Sequence, residues 1–267
     1  MRTALLLLAA LTFSASAAAQ EWAVAALDAS PRHHEWVTVD SQDRPLHLFV
    51  AYPETSGPAP TFIVIHENRG LTDSVRLFAD QAAEAGYLAV AVDLLSGFDD
   101  AHARTADFET SDAARTALYE LDPDAVTADL RAAQAYALSL PASNGNVYVA
   151  GFCWGGAQTF RFATNASGLT AAMVFYGSPP DGGYDQISAP VYGFYGEDDA
   201  RINSTIEATT ATMSELGKTY DPVIYPGAGH AFMRRGDDPA TDSDDPNKAA
   251  RDAAWERVKM LVAKHEQ

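Results

Sequence analysis

The 267-residue chain has one cysteine, and the residues around it give that thiol the setting of a nucleophile. Cys153 lies in Gly151-Phe-Cys-Trp-Gly-Gly156, directly after the short apolar run at 147–150. Gly-x-Cys-x-Gly after a strand is the spacing of a nucleophile elbow, with a thiol where serine is more usual. The strand-to-helix turn is tight, so glycine at 151 and 155 avoids a Cβ clash and the central side chain stands proud of the sheet edge. A thiol at a helix N-terminus also meets the positive end of the dipole, which favours the nucleophilic thiolate. The plain alternative is a buried free cysteine in a glycine-rich turn.

Two further groups follow in the order nucleophile, acid, histidine. The strand-like run Pro190-Val-Tyr-Gly-Phe-Tyr-Gly196 breaks into Glu197-Asp-Asp-Ala-Arg-Ile202. An aspartate just past a strand end can accept a hydrogen bond from an imidazole and fix its tautomer. Asp199 is the preferred acid and Asp198 the second choice; either could instead cap the helix that follows. Asp221-Pro-Val-Ile-Tyr-Pro226 reads as the next strand, and Gly227-Ala-Gly-His-Ala-Phe232 as a loop able to carry His230 back over the sheet edge. Upstream, Thr61-Phe-Ile-Val-Ile65 is a buried-strand pattern leading into His66-Glu-Asn-Arg-Gly70. The backbone N–H groups of Asn68 and Trp154 are the candidates for an oxyanion hole. A zinc helix is excluded, because His-Glu-x-x-His needs histidine where Gly70 stands. No metal ligand set and no cofactor are expected.

Positioning these groups requires strands that end at one sheet edge. Residues 34–52 hold two alternating strands around a turn at 41–45, an antiparallel entry hairpin. Strand 61–65, helix 73–85 and strand 87–92 form a βαβ unit, with Val75, Phe78, Ala82 and Ala85 at helical spacing. Residues 97–123 form a polar insertion with some helical character, a candidate pocket rim. Helix 124–140, strand 146–150, the elbow helix, strand 170–176, strand 190–195, helix 203–217, strand 220–225 and a helix near 246–264 complete the series. Nearly continuous apolar strands between helices predict an α/β fold, a mostly parallel sheet covered by helices on both faces.

With these residues in view, the chain resembles the dienelactone hydrolase (carboxymethylenebutenolidase) family of the α/β-hydrolase superfamily. The resemblance runs from about residue 35 to the C-terminal helix. It rests on His66-Glu-Asn-Arg-Gly70, Ala91-Val-Asp-Leu-Leu95, Gly151-Phe-Cys-Trp-Gly-Gly156, Gly196-Glu-Asp-Asp199 and Tyr225-Pro-Gly-Ala-Gly-His-Ala-Phe232. It implies a catalytic triad of Cys153, Asp199 and His230, and a Glu67 that helps set the ionisation of the thiol. It also implies substrate-carboxylate binding by Arg234, four residues after the histidine. A second family arginine is missing, since Asp93-Leu-Leu-Ser-Gly97 holds none. Glu67 could instead pair with Arg69 to brace its loop, and a carboxylate beside Cys153 would oppose thiolate formation. The implied activity is hydrolysis of small esters or lactones through a thioester acyl-enzyme. A thiol acyltransferase or thioesterase, and a binding protein on the same scaffold, are the rivals.

Composition narrows the setting. With 36 acidic against 18 basic residues the formal charge is −18, which argues against nucleic-acid binding. The acidic run 237–246 lacks the glycine and final glutamate of an EF-hand and reads as a solvated loop ending in a helix cap. The N-terminus carries Arg2, an apolar stretch and Ala17-Ala-Ala19 before Gln20, the pattern of a cleaved signal peptide over 1–19. The expectation is a periplasmic or secreted protein, one domain over 20–267, monomeric and without a membrane partner once the leader is removed. A lone cysteine suits that compartment, having no intrachain partner for a disulfide.

Overall fold

The computed structural model describes the backbone of residues 15–267 and the side chains from residue 21. Residues 1–14 of the expected leader lie outside the described residues, while Ala17–Ala19 fall within the first helix, α1 (Ala15–Ala29). The sequence reading assigned this helix no part in the fold. From Trp22 onward it packs on the core, with Ala23 and Leu27 buried.

The entry hairpin is β1 (His34–Ser41) and β2 (Arg44–Ala51), paired antiparallel from His34–Ala51 to Ser41–Arg44. Its two-residue turn puts Gln42 and Asp43 at φ 52° and 59°, the left-handed pair that matches strand twist in a tight hairpin. β3 (Ala59–Ile65), α2 (Asp73–Glu84) and β4 (Leu88–Val92) form the βαβ unit. The inserted segment contributes one turn of 3-10 helix at Thr105–Asp107 and α3 (Ser111–Glu120). Then come α4 (Pro123–Ser139), β5 (Ser143–Phe152), α5 (Trp154–Asn165), β6 (Leu169–Phe175) and β7 (Val191–Gly196). α4 starts where Asp122 accepts from the N–H groups of Asp124 and Ala125, with Pro123 in the first turn.

The helix expected over 203–217 is two helices, α6 (Ala200–Asn203) and α7 (Ile206–Glu215). The break follows from side chains competing for backbone groups. Thr205 Oγ1 donates to the Ile202 carbonyl at 2.7 Å, and Asn203 Nδ2 reaches back to the Gly196 carbonyl at 2.8 Å. β8 (Tyr220–Tyr225) ends the sheet, a short α8 (Phe232–Asp237) follows, and α9 (Pro246–His265) closes the chain behind an Asp245 cap.

The eight strands lie in the order β1-β2-β4-β3-β5-β6-β7-β8. β1 and β2 run antiparallel to their neighbours and the rest are parallel. Both faces are buried, yet the period of two persists. Phe62, Val64, Tyr148 and Ala150 pack toward α1, α2 and α9, whereas Ile63, Ile65, Val147 and Val149 pack toward α4 and α5. The carboxyl ends of β3, β5, β6 and β7 therefore converge on one edge, where open α/β sheets hold their ligands.

Candidate active site

Cys153 caps α5 at φ 56°, ψ −113°, a backbone conformation that costs a non-glycine residue about 1–3 kcal/mol. The surroundings enforce it. The Cys153 N–H donates to the Phe175 carbonyl at 3.0 Å, and bare glycines at 151, 155 and 156 let α5 press against the ends of β5, β3 and β6. A Cβ on Gly151 would strike the Gly155 carbonyl and the Thr159 hydroxyl; one on Gly155 would strike the carbonyls of Ile65 and His66. The result is a half-buried thiol at the sheet edge. Backbone N–H groups of Trp154 and Asn68 draw its pKa down, as does the charge of Arg201. Burial and the Glu67 carboxylate outweigh them and push the thiol up. The sequence reading expected the helix dipole to favour the thiolate; in the folded protein desolvation reverses that balance.

His230 sits in the loop between β8 and α8, and that loop is tied to the one after β7. Asp198 N–H donates to the Ala228 carbonyl at 2.9 Å, and Gly227 N–H to Glu197 Oε2 at 2.8 Å. Gly196 has no Cβ to hold the loops apart; one there would meet the Ala228 carbonyl at 2.5 Å. This lacing sets Asp199 Oδ2 2.5 Å from His230 Nδ1, with Asp199 buried and the imidazole partly exposed. Asp198, the second choice of acid, is exposed.

Glu67 does not pair with Arg69. Its Oε2 accepts from Arg234 Nε at 3.0 Å, and its Oε1 accepts from the Tyr176 hydroxyl at 3.4 Å. Tyr176, which the sequence reading passed over, is buried at the end of β6 with φ 41°, and its ring meets that of His230 edge-on at 5.1 Å. It thus touches both the carboxylate and the imidazole. Only its place just past a buried strand, level with the elbow, could have marked it. Arg234 lies on α8, whose start is turned by Ala231 in the left-handed region, so the same turn directs histidine and arginine. Its guanidinium remains partly exposed beyond the ion pair. The inserted segment supplies a wall: Arg115, Thr116, Tyr119 and Glu120 of α3 line a groove with Asn68. Among the described residues no group of three or more His, Cys, Asp or Glu side chains is arranged to hold a metal ion.

Comparison with known proteins gives the family and the fold. The sequence profile of the dienelactone hydrolase family matches residues 46–266. The chain belongs to that family. A relative from Methylorubrum extorquens, provisionally named a carboxymethylenebutenolidase, is 33% identical over 214 residues, covering 73% of this chain and 71% of its own. One from Escherichia coli K12, with the same provisional name, is 29% identical over 212 residues, 74% of this chain and 76% of its own. A crystal structure of a Klebsiella pneumoniae protein provisionally named a dienelactone hydrolase superposes with TM-score 0.74 at 26% identity, covering 87% of this chain and 98% of that one. An esterase from Pyrobaculum calidifontis, 14% identical and covering 92% of both chains, shares the fold with TM-score 0.62. The fold is the α/β-hydrolase fold, and this member of the dienelactone hydrolase family is a hydrolase.

Proposed function

We propose that the protein hydrolyses small esters or lactones through a thioester on Cys153. The observation that carries this reading is the strained elbow, which holds the half-buried Cys153 thiol at φ 56° at the start of α5, beside the ends of β3 and β6. A carbonyl oxygen placed on the Trp154 and Asn68 N–H groups brings its carbon to the sulfur. His230, held through Nδ1 by Asp199, takes the thiol proton on Nε2 as sulfur attacks. The two amides bind the oxyanion, a stabilisation worth about 3 kcal/mol per donor in comparable sites. Collapse expels the alcohol, which leaves with the His230 proton, or stays tethered if the substrate is a lactone. A water then gives its proton to His230 and cleaves the thioester, restoring the thiol. Thiols handle ester leaving groups well and amides poorly, which sets peptide substrates apart.

Glu67 keeps the resting thiol protonated, and Arg234 offers its exposed guanidinium to an acidic group on the substrate. A substrate carboxylate there would compete with Glu67 for the same cation, loosening the brake on the thiol as it binds. Brief incubation with an aryl acetate followed by acid quench tests the chemistry. The acetyl mass should appear on the peptide carrying Cys153 and be discharged by neutral hydroxylamine. Acyl groups found only on other residues would sink the mechanism.

We also propose export, with removal of residues 1–19. The pattern Arg2, apolar run, Ala17-Ala-Ala19 supports it. N-terminal sequencing of protein recovered from the periplasm or medium should begin at Gln20; an intact Met1 on exported protein counts against the cut.

A further inference from the structure

His66 is completely buried at the end of β3, and the chemistry above leaves it without a role. Its Nδ1 lies 2.7 Å from the Glu67 carbonyl oxygen, and its Nε2 lies 3.3 Å from the N–H of Leu94, just past β4. A carbonyl can only accept and an amide N–H can only donate, so the two contacts together select the neutral Nδ1–H tautomer. Burial lowers the pKa of the imidazole and keeps it in that form. The ring also stacks on the Trp154 indole, with centroids 5.7 Å apart and planes 10° from parallel.

The acceptor gives this buried clamp its meaning. The Glu67 carbonyl and the Asn68 N–H belong to one peptide group, which is planar and trans. In such a group C=O and N–H point in opposite directions. Fixing the carbonyl toward His66 therefore aims the N–H the other way, and the Asn68 N–H is one of the two that draw the Cys153 pKa down. A hydrogen bond on the carbonyl also polarises the peptide and strengthens its N–H as a donor. The stacked indole belongs to the residue that supplies the other amide. One side chain thus bonds the peptide behind one amide and stacks on the side chain of the residue that carries the other, tied in turn to the backbone just past β4.

We propose that His66 is a positioning residue that orients and polarises the Glu67–Asn68 peptide for the oxyanion. The assignment rests on the reading of Cys153 as nucleophile. Two variants of similar polarity separate this role from mere filling of space. His66→Asn places an amide N–H near the Nδ1 position and preserves the bond to the carbonyl; His66→Gln places its head near Nε2 and gives that bond up. Two rates are read on each: acylation by an aryl ester, and alkylation of Cys153 by iodoacetamide, a displacement at saturated carbon that builds no oxyanion. His66→Gln should acylate about 10–100-fold more slowly than wild type, with KM changed by less than about threefold and alkylation, which feels the Asn68 N–H only through its small effect on the thiol pKa, falling by no more than about threefold. His66→Asn should recover most of that loss. Should the glutamine variant fail to fold, the asparagine variant decides alone, and must acylate within about tenfold of wild type. Equal acylation by the two variants, or acylation and alkylation falling in parallel, overturns the proposal. Wild-type protein that shows no acylation of Cys153 overturns the nucleophile reading, and this assignment with it.

Discussion

Cys153→Ala is expected to lower kcat/KM for aryl esters by about ten-thousand-fold or more, because removing a nucleophile removes the whole covalent route. Binding and the Trp154 and Asn68 amides survive the change, so a weak residual rate from the oxyanion hole is compatible with the mechanism. Turnover within tenfold of wild type would sink it. The same thiol should be slow toward iodoacetamide near pH 7, since only the thiolate reacts and burial with Glu67 pushes its pKa up. Its alkylation rate should keep rising with pH through and above the ordinary thiol range. Glu67→Gln removes the nearby negative charge and frees Arg234 from its carboxylate partner. Both changes favour the thiolate, so the alkylation profile moves to lower pH and the rate at pH 7 rises by about tenfold, equivalent to ~1.4 kcal/mol. An unchanged profile in that variant would remove Glu67 from the control of the thiol while leaving the role of Cys153 to the alanine variant.

The parts of the molecule legible in its sequence are those set by short-range sterics. Glycines at 151 and 155 are required by contacts within a few residues or with the adjacent strand end, so the elbow announces itself by spacing. The strands announce themselves through β-branched and aromatic runs that must be buried on both faces. Gly196 is required where the His230 loop crosses it at close range, and Gly227 by a φ of 66°. What spacing does not record is a pairing across the chain. Glu67 and Arg234 are separated by 167 residues and meet only because α8 turns back at Ala231. The residue that local reasoning offered to Glu67 was Arg69, its near neighbour. Tyr176 was equally hidden, since a tyrosine after an apolar strand looks like core until its hydroxyl is seen on Glu67. The division of α6 from α7 turned on side-chain hydrogen bonds of Asn203 and Thr205, which leave no trace in apolar periodicity. Desolvation of the thiol was out of reach for the same reason, being a property of everything packed around the elbow.

Asp199→Asn is expected to cut kcat by about a thousand-fold while KM stays within a few-fold, and Asp198→Asn to leave both unchanged. The argument begins with the imidazole tautomer. Asp199 can only accept from His230, so their 2.5 Å contact puts the proton on Nδ1 and leaves Nε2 with a free lone pair. That lone pair must take the thiol proton, and the imidazolium then formed is stabilised by the adjacent carboxylate. Asparagine offers either its oxygen or its NH2 group. When the NH2 faces His230, Nδ1 becomes the acceptor, the proton moves to Nε2, and the base is lost; even in the other orientation, the imidazolium has no negative partner. The free thiol should feel little of this, because its raised pKa comes from burial and Glu67 rather than from Asp199. Iodoacetamide alkylation should therefore stay close to wild type as turnover collapses, separating loss of the base from damage to the elbow. Asp198 is exposed, and only its backbone N–H is committed, to the Ala228 carbonyl. Replacing its side chain leaves that tie in place, so a large loss in Asp198→Asn with little in Asp199→Asn would reassign the acid.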